Sequence, residues 1–109
     1  MEVSLKKSGD ISVVDISGSI DSKTAPDLQQ NILDIVPDTN KIILDLTKVS
    51  FVSSAGLRVL LMVYRQLKAK DGKVVLVGLS DEIKDVMFMT GFITFFAIEA
   101  TVEEAITKI

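Results

Sequence analysis

Ser53 and Ser54 are the side chains in this sequence best placed to do chemistry, because two adjacent hydroxyls fall where a strand pattern gives way to a helix pattern. Upstream, Lys41-Ile42-Ile43-Leu44-Asp45-Leu46 is nearly continuous hydrophobic, as in a strand covered on both faces. Downstream, Leu57, Leu60, Leu61, Tyr64 and Leu67 recur at helical spacing. A helix leaves its first four amides without internal partners and carries partial positive charge at that end. Serine oxygens there cap the helix, and the same end accepts an anion such as phosphate. Two uses are open for the pair: capping alone, or capping together with acceptance of a phosphoryl group.

Other reactive constellations are thin. Cysteine and histidine are both absent, which removes thiol nucleophiles, imidazole bases, disulfides and zinc sites of the usual kind. Asp21, Asp45 and Ser54 can gather at strand ends, where α/β proteins place function. No glycine-rich phosphate loop accompanies them, and Gly18-Ser19-Ile20 lacks the second glycine of a nucleophile elbow. The sequence therefore predicts a binding protein and not an enzyme, with no cofactor and no metal of its own. Twelve basic residues against 15 acidic ones give a net charge of −3, without the basic excess of a nucleic-acid binder. A protein or small-molecule partner fits this balance better.

The elements that must position these residues alternate between strand and helix. Glu2 to Lys6 and Ile11 to Ser17 flank the turn residues Ser8-Gly9-Asp10 and predict a hairpin. Asp27 to Val36 reads as a helix with Leu28, Ile32, Leu33 and Val36 inward, stopped by Pro37. Before it, Thr24 suits an N-cap, with Asp21 as a turn aspartate. Lys41 to Leu46 is the central strand, and the helix from near Ser54 runs to about Lys70, with Gly72 just beyond. Val74 to Val77 is a further strand. Ser80-Asp81-Glu82 caps a helix carrying Ile83, Val86, Met87 and Met89, and Gly91 ends it. Ile93 to Ile98 reads as a last strand and Val102 to Ile106 as a short helix. This alternation predicts an α/β fold, with a mainly parallel β-sheet, crossover helices and an N-terminal β-hairpin, in one domain over residues 1–109.

The start of the chain lacks the basic-then-apolar layout of a signal peptide, and the apolar run Val86 to Ile98 is too short for a bilayer span. A cytoplasmic protein without membrane insertion is expected. Two faces stay open between core and contact surface: the broad apolar face of the Ser54 helix, which adds Val59, Met62 and Val63, and the phenylalanines Phe88, Phe92, Phe95 and Phe96.

Phe51-Val52-Ser53-Ser54-Ala55-Gly56-Leu57 resembles the central motif of the STAS domain, the fold of anti-sigma factor antagonists. Alignment on Gly56-Leu57 places Ser54 at the family's phosphorylated serine, Ala55 at the following Ser/Thr, and Ser53 where many members have Asp. Gly18-Ser19-Ile20-Asp21-Ser22-Lys23-Thr24-Ala25 resembles a second family segment, and Gly72 to Ser80 with Gly91-Phe92 a third, looser one. The resemblance implies a STAS-like fold and a phosphorylation-switched binding module that holds an anti-sigma factor serine kinase and so releases a sigma factor, reset by a serine phosphatase. It implies phosphorylation at Ser54, with Ser53 as the alternative, and a partner surface of Asp21, Ser53, Ser54, Gly56, Arg58 and Met62. The other function it allows is a non-phosphorylated scaffold subunit of a lipid-transport or stress-signalling complex. For the oligomeric state the expectation is a monomer or weak dimer.

Overall fold

Residues 1–109 are described by a computed structural model, in which five strands form one sheet in the order β1-β2-β3-β4-β5. Strand β1 (Glu2–Ser8) and β2 (Ile11–Ile20) make the expected antiparallel hairpin, and β3 (Lys41–Val52), β4 (Lys73–Val77) and β5 (Ala97–Glu99) follow in parallel. Helices α1 (Ala25–Ile35), α2 (Ser54–Lys68), α3 (Asp81–Thr90) and α4 (Val102–Lys108) complete the chain.

Strand periodicity divides the core between two faces. On one side Val14, Ile16, Ile42, Leu44 and Leu76 meet Leu28 and Ile32 of α1, Leu57, Leu60 and Val63 of α2, and Ile83 and Met87 of α3. On the other, Ile11, Val13, Ile43, Val75 and Val77 pack with Ala105 of α4. The middle strands are buried on both faces, which is why their sequences read as unbroken apolar runs. No helix is long and apolar enough to cross a membrane.

Several boundaries differ from the sequence expectation. Strand β3 continues from Leu46 to Val52, because it carries one extra residue between Asp45 and Lys48 and another between Val49 and Phe51 relative to β2. Such bulges break the two-residue alternation while keeping the pairing. The first bulge packs against Gly78, where a Cβ would lie 2.0 Å from the Thr47 hydroxyl oxygen and φ is +71°; only glycine suits that backbone.

Ile93 to Phe95 are not strand. Phe92 to Phe95 form a 3-10 turn, held by the Thr94 hydroxyl donating to the Gly91 carbonyl at 2.8 Å, and only Ala97 to Glu99 join the sheet. Tyr64 of α2 contacts the rings of Phe95 and Phe96, at centroid distances of 5.5 and 5.8 Å, and fixes this turn.

Val86 and Met89 are not inner residues of α3. The helix buries only Ile83 and Met87 and leaves Val86, Phe88 and Met89 exposed, since it covers the sheet with a single narrow stripe. The phenylalanine cluster splits likewise: Phe96 is core, Phe92 is half-buried, and Phe88 and Phe95 face solvent. On α2 the broad apolar face is core, with Val59 and Val63 buried and Met62 half-buried against the same cluster.

Candidate functional site

The two distinctive segments of the sequence meet at the edge where the parallel strands end. Ile20 pairs with Val52 in register, and the Ser53 N–H donates to the Ile20 carbonyl at 2.8 Å. The last residue of β2 is thereby tied to the cap of α2, and Asp21 follows directly. Sequence-distant motifs become neighbours through one strand pairing.

Ser53 is the N-cap of α2, with its side-chain oxygen accepting from the Gly56 N–H at 3.3 Å. Ser54 is the first helical residue and is exposed. Of the four amides a helix cannot satisfy internally, those of Ser53 and Gly56 are accounted for by these two bonds. The other two belong to Ser54 and Ala55. The first turn of α2 contains no acidic residue, whereas those of α1, α3 and α4 contain Asp27, Asp81 with Glu82, and Glu103 with Glu104. Alone among the four, α2 leaves the positive end of its dipole without a carboxylate of its own.

Gly56 explains how α2 sits so close to the strands. A Cβ there would meet side-chain carbons of Ile20 and Val52 at 2.8 Å each, and the Ile20 carbonyl oxygen at 3.0 Å. Because Gly56 is buried, its place in the site is to seat the helix.

Asp21 builds the turn between β2 and α1. Its Oδ1 accepts from the backbone N–H groups of Lys23 at 2.9 Å and Thr24 at 3.1 Å, which hold the carboxyl below its ordinary pKa. Thr24 occupies the N-cap position of α1 but does not cap it with its side chain, contrary to expectation. Its hydroxyl instead donates to the Ser19 carbonyl at 2.8 Å and accepts from the Asp21 N–H at 2.9 Å. The turn is locked from within.

A groove of about 340 Å³ runs between α1 and α2, bounded by Ser22, Pro26, Gln29, Arg58 and Ala55, the residue that follows Ser54. Arg58 is exposed and lies one turn beyond Ser54 on the same side of the helix. The structure thus collects Asp21, Ser53, Ser54, Gly56 and Arg58 in one region. Met62 stands apart, two turns farther along α2 and half-buried. Ser22 and Gln29 had no distinguishing mark in the sequence, because the packing of α1 on α2 creates the groove they line. No three or more of His, Cys, Asp and Glu gather anywhere to hold a metal ion.

The STAS domain family matches residues 2–105, so this chain belongs to the STAS family. An anti-sigma-B factor antagonist of Listeria monocytogenes is 34% identical, over 84% of this chain and 83% of its own length. The crystal structure of an anti-sigma factor antagonist from Mycobacterium paratuberculosis superimposes with a TM-score of 0.89 at 30% identity, covering 98% of this chain and 92% of that one. SpoIIAA of Bacillus in its phosphorylated form shares the fold, with a TM-score of 0.77 at 24% identity over 98% of both chains.

Proposed function

We propose that this protein is an anti-sigma factor antagonist, a binding module switched by phosphorylation of Ser54. The observation that carries this reading is the exposed Ser54 hydroxyl at the start of the one helix whose first turn has no acid. The names of the Listeria and Mycobacterium relatives support the partner class, and the existence of SpoIIAA in phosphorylated form supports the switch.

In the dephosphorylated state the edge formed by Asp21, Ser53, Ser54 and Arg58 binds an anti-sigma factor that is also a serine kinase. ATP and its metal belong to that kinase. Phosphorylation adds about −1.5 to −2 charge at neutral pH. At the head of α2 this charge is compatible with the fold, being close to free amides and to Arg58. Facing a partner surface shaped for a hydroxyl, it brings steric clash and a desolvation cost. Affinity falls without refolding, and a serine phosphatase restores it.

The test uses an anti-sigma factor of the serine-kinase type encoded near this chain, with ATP and the wild type, Ser53→Ala and Ser54→Ala proteins. Label mapped by mass spectrometry should be lost only in Ser54→Ala, which should still bind the unlabelled kinase. Label lost only in Ser53→Ala moves the acceptor to Ser53. Absence of label and of binding in all three replaces the proposal with the scaffold function.

A further inference from the structure

The two edges of the sheet are built differently. Strand β5 is three residues long and follows directly on the Phe92 to Phe95 turn, whereas β1 runs for seven residues, Glu2 to Ser8, without proline or bulge. The outer side of β1 pairs with no other strand. A long, regular edge of this kind is a template for a further strand, and proteins commonly blunt it with proline, bulges or repelling charges. Here the charges are of both signs. Glu2, Ser4 and Lys6 point to one face of the sheet, and Val3 and Leu5 to the other, where Val3 packs on the core and Leu5 is 46% exposed. Neither Glu2 nor Lys6 has an ion pair within the chain, and Lys48, which borders a shallow hollow with Glu2, is paired with Asp15 at 3.7 Å.

We infer that β1 pairs with β1 of a second copy of this chain, antiparallel across a two-fold axis at Ser4, so that the two sheets become one. Such an axis stands normal to the sheet and keeps each face continuous, so the allowed registers are those centred on a residue. Centred on Ser4, Glu2 of each copy lies opposite Lys6 of the other, while Val3 and Leu5 meet crosswise on the opposite face. Two ion pairs and two apolar pairs form together. Centring on Leu5 would set Val3 against Lys7, centring on Lys6 would bring the two Lys6 ammonium groups together, and centring on Val3 would leave Lys6 without an acid. A second copy is the occupant because the pattern is its own complement, whereas a foreign strand would have to repeat this spacing of acid and base in reverse.

The pairing is weak by construction. Glu2 to Lys6 is a short contact against the roughly 20–30 residues a side of a stable interface, and its ion pairs stay exposed to solvent and salt. The dimer therefore forms reversibly and at high concentration. It draws on none of Asp21, Ser53, Ser54 and Arg58, so each copy keeps its own Ser54 surface and the inference stands apart from the proposed antagonist function.

The experiment follows self-association of the full chain by sedimentation over a concentration series, for wild type, Glu2→Lys, Lys6→Glu and the variant carrying both changes. Wild type should dimerise reversibly. Each single variant sets like charges opposite one another at two places and should raise the dissociation constant about tenfold; the double variant, which restores both pairs with their signs exchanged, should return to within about threefold of wild type. Trapping tests the register. The chain has no cysteine, and Ser4→Cys places two thiols across the axis at a Cα separation of roughly 4.5–5.5 Å, within reach of a disulfide. Under mild oxidation it should link far faster than Lys6→Cys, whose thiols lie too far apart along the paired strands. Faster linking of Leu5→Cys than of Ser4→Cys moves the axis and overturns the ion pairs. A wild type that stays monomeric at its highest soluble concentration, a dimer that the charge variants leave unchanged, or a double variant no tighter than the single ones each overturns the inference.

Discussion

Ser53 and Ser80 cap α2 and α3 by the same bond, accepting from Gly56 N–H at 3.3 Å and from Ile83 N–H at 3.2 Å, and each helix follows a parallel strand at the same edge of the sheet. Their next residues diverge. Helix α3 continues with Asp81 and Glu82, which place two carboxylates at the positive end of its own dipole. Helix α2 continues with Ser54 and Ala55, leaving that end uncharged and open to a charge added later. At the third helical position α3 has the buried Ile83, which fills the space under the helix, while α2 has Gly56, which removes it. One helix start is completed by its sequence; the other is pressed onto the strands and left without its anion.

The largest effects test the third helical position. Ile83→Ala should cost about 2–5 kcal/mol by leaving a cavity between α3 and the sheet. Gly56→Ala should cost about 1–3 kcal/mol by overpacking against Ile20 and Val52, reduced by about 1 kcal/mol of helix propensity gained. Urea unfolding measures both. A stabilised Gly56→Ala protein would show that the close approach of α2 to β2 and β3 is not a constraint.

The two caps come next. Ser53→Ala and Ser80→Ala each remove one side-chain bond to an otherwise unpaired amide, at about 0.5–2 kcal/mol. Similar losses in stability are expected, but only Ser53→Ala should alter labelling of the neighbouring Ser54. Equal labelling would assign Ser53 to capping alone.

Much of this was legible in the sequence, for identifiable reasons. The doubly covered strands β3 and β4 and the long period of α2 are strong local patterns, and they bracket Ser53 and Ser54 tightly. The far half of β3 was not legible, since its two bulges space the buried Leu46, Val49 and Val52 three residues apart. The exposure of Val86 and Met89 was equally hidden: an apolar residue on a helix does not announce whether a neighbouring element covers it. Asp21 was found by motif, yet its hydrogen bonds to Lys23 and Thr24 and the crossing of Thr24 to Ser19 follow only from the turn's geometry. The groove arises where α1 and α2, from separate parts of the chain, meet, and no stretch of sequence encodes it alone.

A pH dependence sharpens the role of the turn beside α2. The Asp21 carboxyl is held below its usual value by the Lys23 and Thr24 amides, so its contribution to stability is present above the unfolded-state pKa and is lost as pH falls through the folded-state value. Asp21→Asn should therefore melt below the wild type near neutrality, and the gap should close on acidification below about pH 4. If the gap is independent of pH, the carboxylate's charge is not what the turn uses. Reduced kinase binding by Asp21→Asn at neutral pH, measured separately, is the outcome expected from its place on the proposed partner surface; unchanged binding would confine Asp21 to the turn.

The smallest effect on stability addresses the contrast between α2 and α3 most directly. Ser54→Asp puts a carboxylate at the first position of α2, where α3 already has Asp81. A charge there interacts favourably with the helix dipole, so the variant should be stabilised by about 0.3–1 kcal/mol, and less at high salt. Asp81→Ser should lose a similar amount from α3, because the two positions are equivalent in their caps and differ only in which carries the charge. In binding the two variants should part company. Ser54→Asp should lose affinity for the anti-sigma factor although its fold is slightly firmer, whereas Asp81→Ser leaves Ser54 untouched. Opposite signs for stability and affinity in Ser54→Asp are what a switch acting at the surface requires. A variant that lost both together would instead mean that an anion at Ser54 disrupts the helix start, and that the switch works through the fold.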